Sequence, residues 1–190
     1  FATSQDEFEI NQALITFSHY LQWIELQRVI SSKICQNIVF NLFPNPVFRY
    51  SVLCCFDAIA THSMASADAI MRQIFDIFIQ NIQMTIPEQT DNISLIYDDE
   101  MIESKLVQTI GDFLLMDQSS LLQGILQPSA IEALRFLVQL TESCSPDTFK
   151  IAVEYWDNLS RLFFLEQHRV QPPPVVILHL QDIFIRKITH

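Results

Sequence analysis

Only two glycines, Gly111 and Gly124, occur in 190 residues, and this scarcity narrows the fold more than any motif does. Tight hairpin turns and bulges lean on the positive φ that glycine adopts without steric cost. A chain so poor in glycine is expected to be built from helices. The same scarcity excludes glycine-rich phosphate loops and the G-x-S-x-G elbow, so neither a nucleotide cradle nor a serine-hydrolase nucleophile turn is present.

Residues 149–163, FKIAVEYWDNLSRLF, show what kind of helical protein this is. At about 100° per residue, Phe149, Ala152, Val153, Trp156, Ser160, Phe163 and Phe164 fall on one side. Ile151, Tyr155, Leu159 and Leu162 carry that side around the back, leaving Lys150, Glu154, Asp157, Asn158 and Arg161 for water. A surface helix normally shows an apolar stripe of about 100° or somewhat more, so this helix requires neighbours on at least two sides. The segment 47–60, VFRYSVLCCFDAIA, is apolar nearly all round, relieved mainly by Arg49, Ser51 and Asp57.

Periodicity and punctuation predict eight helices, over 8–22, 28–42, 46–61, 67–86, 98–117, 119–141, 146–167 and 173–190. Pro46 and Pro146 fall in first helical turns, where a missing N–H costs nothing, and PPP at 172–174 forces an extended break. Ser66 and Ser119 are placed as N-caps. Taken in pairs, the first helices begin near 8, 46, 98 and 146, spacings that bracket the roughly 40–47 residues of HEAT and armadillo hairpins. The expected fold is all-α, an α-solenoid of about four HEAT-type helical hairpins, with residues 1–190 forming a single segment. A start at Phe1 without methionine, and a helical pattern that runs into His190, lead us to expect an excerpt of something longer.

Chemistry leaves little trace. The five histidines include no H-E-x-x-H or E-x-x-H pair and the four cysteines no C-x-x-C, so no metal or cofactor is expected. Asp98, Asp99 and Glu103 faintly resemble an aspartate-rich magnesium motif, but no second acidic cluster accompanies them, and carboxylates at a helix N-terminus favour its dipole. Tyr155 and Trp156 are assigned to the core rather than to an aromatic cage. Cys35, Cys54, Cys55 and Cys144 lie within apolar helical patterns as free thiols, which fits a reducing compartment. No catalytic residue is expected. The 22 acidic and 11 basic residues leave a net charge of -11, which disfavours nucleic acid and anionic membranes and favours a basic protein partner.

Two second helices keep narrow polar stripes. One carries Arg72 and Asp76 with Gln73, Gln80 and Gln83; the other carries Glu132, Arg135, Gln139 and Glu142. In a stack of hairpins such stripes align into one binding surface, so Arg72, Asp76, Glu132, Arg135, Gln139 and Glu142 are the expected partner-facing residues.

Three blocks together resemble the nuclear export receptors for leucine-rich signals, the exportin-one family of the karyopherin superfamily. In FKIAVEYWDNLSRLF the resemblance rests on Phe149, Lys150, Ile151, Glu154, Tyr155, Trp156 and Leu159. In LFPNPVFRYSVLCCFDAIA it rests on the family's proline, Phe48-Arg49 and the helix that follows. ALITFSHYLQWIELQRVISSKIC precedes these, like the family's leucine-rich helix ending in tryptophan. The blocks keep the family's order across residues 10–165, and the last segment, VQPPPVVILHLQDIFIRKITH, matches loosely. The resemblance implies an internal portion of a HEAT-repeat receptor that binds Ran-GTP and export-signal cargo proteins, meets nuclear pore proteins, and shuttles between nucleus and cytoplasm. None of the four cysteines matches the reactive cysteine of the family's cargo groove, and no Ran contact is carried over by motif. Another HEAT or armadillo scaffold, such as a regulatory subunit, is the alternative reading; a small all-helical enzyme is the third.

Overall fold

A computed structural model describes residues 4–62, 68–85, 99–116 and 128–165. The fold is all-α: α1 (Ser4–Leu21), α2 (Leu26–Ser31), α3 (Ile34–Leu42), α4 (Pro46–Ala60), α5 (Asp68–Thr85), α6 (Glu100–Met116), α7 (Pro128–Ser143) and α8 (Pro146–Leu165). It divides into two compact units, residues 1–89 and 90–190, each built from helical hairpins of the HEAT type. The expected helix over 173–190 lies outside the described residues, as do residues 119–127 of the expected sixth helix and the Ser66 and Ser119 caps.

In the first unit α1 packs chiefly on α4, with α3 also against α4, and α2 and α3 lie against α5. Hydrogen bonds fix the register of the α1–α4 pair. Ser51 Oγ donates to Asn11 Oδ1 at 2.7 Å, and Asn11 Nδ2 donates to the Val47 carbonyl at 3.3 Å. One turn further along both helices the Cys55 thiol donates to the Leu14 carbonyl at 3.3 Å. Because 11 pairs with 51 and 14 with 55, the two helices run parallel, offset by 40 and 41 residues. That is one helical-hairpin repeat.

α4 is buried over most of its length after the first turn, as its composition requires: Phe48, Val52, Leu53, Cys55, Phe56, Ala58, Ile59 and Ala60 are in the core, whereas Val47 is exposed. Ser51 was expected to relieve this burial. It is buried instead, because Asn11 satisfies its hydroxyl. Asn45 caps the helix, its Oδ1 accepting from Val47 N at 3.1 Å, with Pro46 in the first turn. Arg49 reaches back over the turn, donating from Nε to the Phe43 carbonyl at 3.2 Å and from Nη2 to the Pro44 carbonyl at 3.1 Å. The carbonyls of the α3 C-cap, Phe43, and of Pro44 in the turn after it are thereby satisfied. Phe78 of α5 closes this core, stacked on Phe56 at 4.9 Å between centroids and edge-on to Phe43 at 6.4 Å.

The expected helix over 28–42 is broken into α2 and α3. Lys33 adopts φ 57°, ψ 15°, the left-handed region, and the serines before it turn onto backbone carbonyls, Ser32 Oγ donating to the Val29 carbonyl at 2.8 Å. Such side-chain bonds compete with the helical ladder. The break lets the short α2 touch both α3 and α5.

In the second unit α6 packs chiefly on α8 and also on α7, and α7 touches α8, giving residues 149–163 the two neighbours their apolar arc demands. Ala152, Trp156 and Leu159 are buried, whereas Lys150, Glu154, Asp157, Asn158 and Arg161 face water. Ser160, expected on the apolar side, is exposed and donates to the Asp157 carbonyl at 2.8 Å. The side chains of Leu162, Phe163 and Phe164 lie outside the described residues. Here too the first helices are parallel: bonds join 103 to 145, 104 to 148 and 112 to 155, at offsets of 42, 44 and 43 residues.

Gly111 explains how closely α6 and α8 approach. A Cβ at this position would overlap the Tyr155 ring, whose hydroxyl donates to Asp112 Oδ1 at 2.7 Å. Glycine within a helix costs about 0.5–1 kcal/mol relative to alanine, a cost accepted here for the ring. Gly111→Ala is therefore expected to destabilise the second unit by about 1–3 kcal/mol, the usual cost of overpacking, followed by the fluorescence of buried Trp156 in urea. In a Tyr155→Ala background the same substitution should be neutral or stabilising by up to about 1 kcal/mol. An equal loss in both backgrounds would sink the steric account. Lys33→Gly, which relieves a left-handed non-glycine residue, should raise the urea midpoint by about 0.5–1 kcal/mol in stability at unchanged m-value.

Candidate functional site

The six residues expected to face partners lie on two helices. Arg72 and Asp76 are half-buried on one flank of α5, with Gln73, Gln80 and Gln83 exposed along it. Glu132, Arg135, Gln139 and Glu142 share one side of α7, Arg135 and Glu142 exposed, the other two half-buried. The structure thus groups two of the six in the first unit and four in the second.

The α7 face is the better defined. Arg135 Nε donates to Glu132 Oε2 at 2.7 Å, and the guanidinium carbon lies 5.1 Å from the centroid of the Phe136 ring. One exposed ion pair contributes little to stability, about 0.2–1 kcal/mol. Its consequence is orientation: the guanidinium is held between a carboxylate and a ring, with further donors left for a partner. Ile131, 50% exposed, adds an apolar contact on the same helix.

What holds that face in place is buried. Trp156 Nε1 of α8 donates to Thr141 Oγ1 at 2.9 Å, and that hydroxyl donates to the Leu137 carbonyl at 2.6 Å. Thr141 and Trp156 are both in the core, where a tryptophan N–H without an acceptor would carry the desolvation cost of an unmade bond. The structure puts Trp156 in the core, as expected, whereas Tyr155, also expected there, is half-buried with its hydroxyl on Asp112.

The acidic stretch expected to face a helix dipole divides into two roles. Asp98 is outside the described residues. Asp99 caps α6, its Oδ1 accepting from Met101 N at 2.9 Å. Glu103 is buried, and its Oε2 accepts from Ser145 N at 3.1 Å, at the start of α8. Ser145 Oγ donates to Glu100 Oε1 at 2.6 Å and accepts from Thr148 N at 3.2 Å. The Thr148 hydroxyl lies 2.7 Å from that of Ser104. Five polar side chains therefore tie the first turns of α6 and α8 together. Pro146 and the serine before it signal the cap, but a partner 42 residues away leaves no local trace.

All four cysteines are free thiols, with Cys35, Cys55 and Cys144 buried and Cys54 half-buried. Burial pushes the Cys35 thiol up to about 11. Burial first, then the neighbouring Cys54 and Cys35, pushes Cys55 up to about 12. Thiolate, the reactive form, is thus suppressed at neutral pH. Among the described residues no three His, Cys, Asp or Glu side chains gather as metal ligands, and no helix is long and apolar enough to cross a membrane.

A helical-hairpin protein with polar faces on its second helices, its cysteines in or beside the core and Asp99, Glu100 and Glu103 engaged in capping or helix-to-helix bonds, belongs structurally with repeat scaffolds. Its sequence relatives are exportins. The chain is 26% identical over 165 residues to exportin-1 of Dictyostelium discoideum, an alignment covering 80% of this chain and 16% of that protein. It is 25% identical over 162 residues to exportin-1 of Drosophila melanogaster, covering 80% and 15%. To EXPORTIN 1B of Arabidopsis thaliana it is 22% identical over 193 residues, covering 97% and 18%. The chain spans about a sixth of the length of these relatives. No protein-family profile matches it.

The raised thiols give a pH prediction. An acid whose folded pKa lies above its ordinary value of 9.0 contributes stability that is complete below that pH and lost as pH rises toward the folded values, about 11 and 12. Between pH 9 and 11 the urea stability of the first unit should fall by up to about 1.4 kcal/mol per pH unit for each of the two thiols. A Cys35→Ala/Cys55→Ala variant should show a correspondingly shallower decline; an unchanged slope would refute the assignment.

Proposed function

We propose that this chain is a scaffold segment of a nuclear export receptor, one that carries cargo bearing leucine-rich signals out of the nucleus together with Ran-GTP. Residues 1–190 form one continuous run of HEAT-type hairpins within a longer superhelix, which meets nuclear pore proteins and shuttles between nucleus and cytoplasm. Its part in transport is shape and charge, without an enzymatic step. The observation that carries this reading is the similarity to exportin-1 proteins of Dictyostelium discoideum, Drosophila melanogaster and Arabidopsis thaliana over 80–97% of the chain. Parallel first helices one repeat apart in both units support it.

Within that reading Arg72 and Asp76 on α5, and Glu132, Arg135, Gln139 and Glu142 on α7, face partners. Ran and cargo would be coupled because each binds one curvature of the superhelix better than another, and a ligand shifts a conformation only by that difference. The net charge of -11 favours basic partner surfaces and speeds their encounter at low salt.

The test is capture of Ran by the full-length receptor containing this segment, with a leucine-rich signal peptide present. Ran locked in its GTP form should be retained and the GDP form lost; capture indifferent to nucleotide would overturn the proposal. Arg72→Glu and Arg135→Glu together should weaken assembly about fivefold or more, with a changed salt dependence if the charges steer association. Unchanged assembly with intact Trp156 fluorescence would remove these faces from the binding surface while leaving the receptor assignment to the nucleotide test.

A further inference from the structure

We draw no further inference here: the strongest candidate, the exposed aromatic patch of the first unit formed by Tyr20 at the end of α1 and Trp23 in the turn after it, is an unpartnered apolar patch, and nothing in the structure shows what covers it.

Discussion

The parallel apposition of helices one repeat apart, α1 on α4 and α6 on α8, is the constraint on which the other features depend. A helix in a simple antiparallel hairpin can hide only the stripe facing its partner. α4 and α6 are each buried along about half of their residues, and each fully buried Leu, Val or Phe side chain contributes about 1.5–3 kcal/mol that exposure would forfeit. A second neighbour on the next flank recovers that contribution. Repeat architectures supply it in sequence, each unit covering the flank of the one beside it.

Apolar contact alone does not choose a register, because the hydrophobic effect is non-directional. The polar bonds between first helices make that choice. In the second unit two clamps act together, Glu103 with Ser145 near the helix starts and Asp112 with Tyr155 further along. They are separated by nine residues on α6 and ten on α8, about 14–15 Å at 1.5 Å per residue. Sliding one helix past the other by a turn, about 5.4 Å, would break both and leave the buried Glu103 carboxylate without its amide. The Tyr155 ring on Gly111 adds a steric lock to the same register. In the first unit Asn11 with Ser51, and Leu14 with Cys55, do the same work with neutral groups.

This division between contact and register explains what the sequence made legible. Helix existence, the all-α class and the repeat spacing follow from apolar periodicity and from Pro46 and Pro146, which are local signals. The wide arc of residues 149–163 announced two neighbours because exclusion from water is written in composition. The register was not legible, since Ser51, Glu103 and Thr148 have partners 40 residues or more away and resemble ordinary polar relief when read alone. The break at Lys33 was hidden for another reason: a lysine in the left-handed region carries none of the glycine or asparagine chemistry that marks such a turn. The polar stripes on α5 and α7 were visible, though water and a binding partner select the same residue types, so their pattern fixes a face and leaves the partner's chemistry to other evidence.

The α7 face draws its rigidity from the clamps beneath it. α7 is joined to α8 through Trp156 and Thr141, and α8 is joined to α6 through the five polar groups at their first turns and through Tyr155. Glu132, Arg135, Gln139 and Glu142 therefore ride on a helix tied to a core whose internal register cannot slip. A reactive site needs a few groups placed to a fraction of an ångström, whereas a scaffold needs whole faces held in constant relation over many turns. Buried polar pairs between successive first helices meet the second requirement: losing one strands its partner in the core, a penalty of about 1–3 kcal/mol, so local fluctuation is costly while the polar faces themselves carry almost no stabilising burden and stay available for contact.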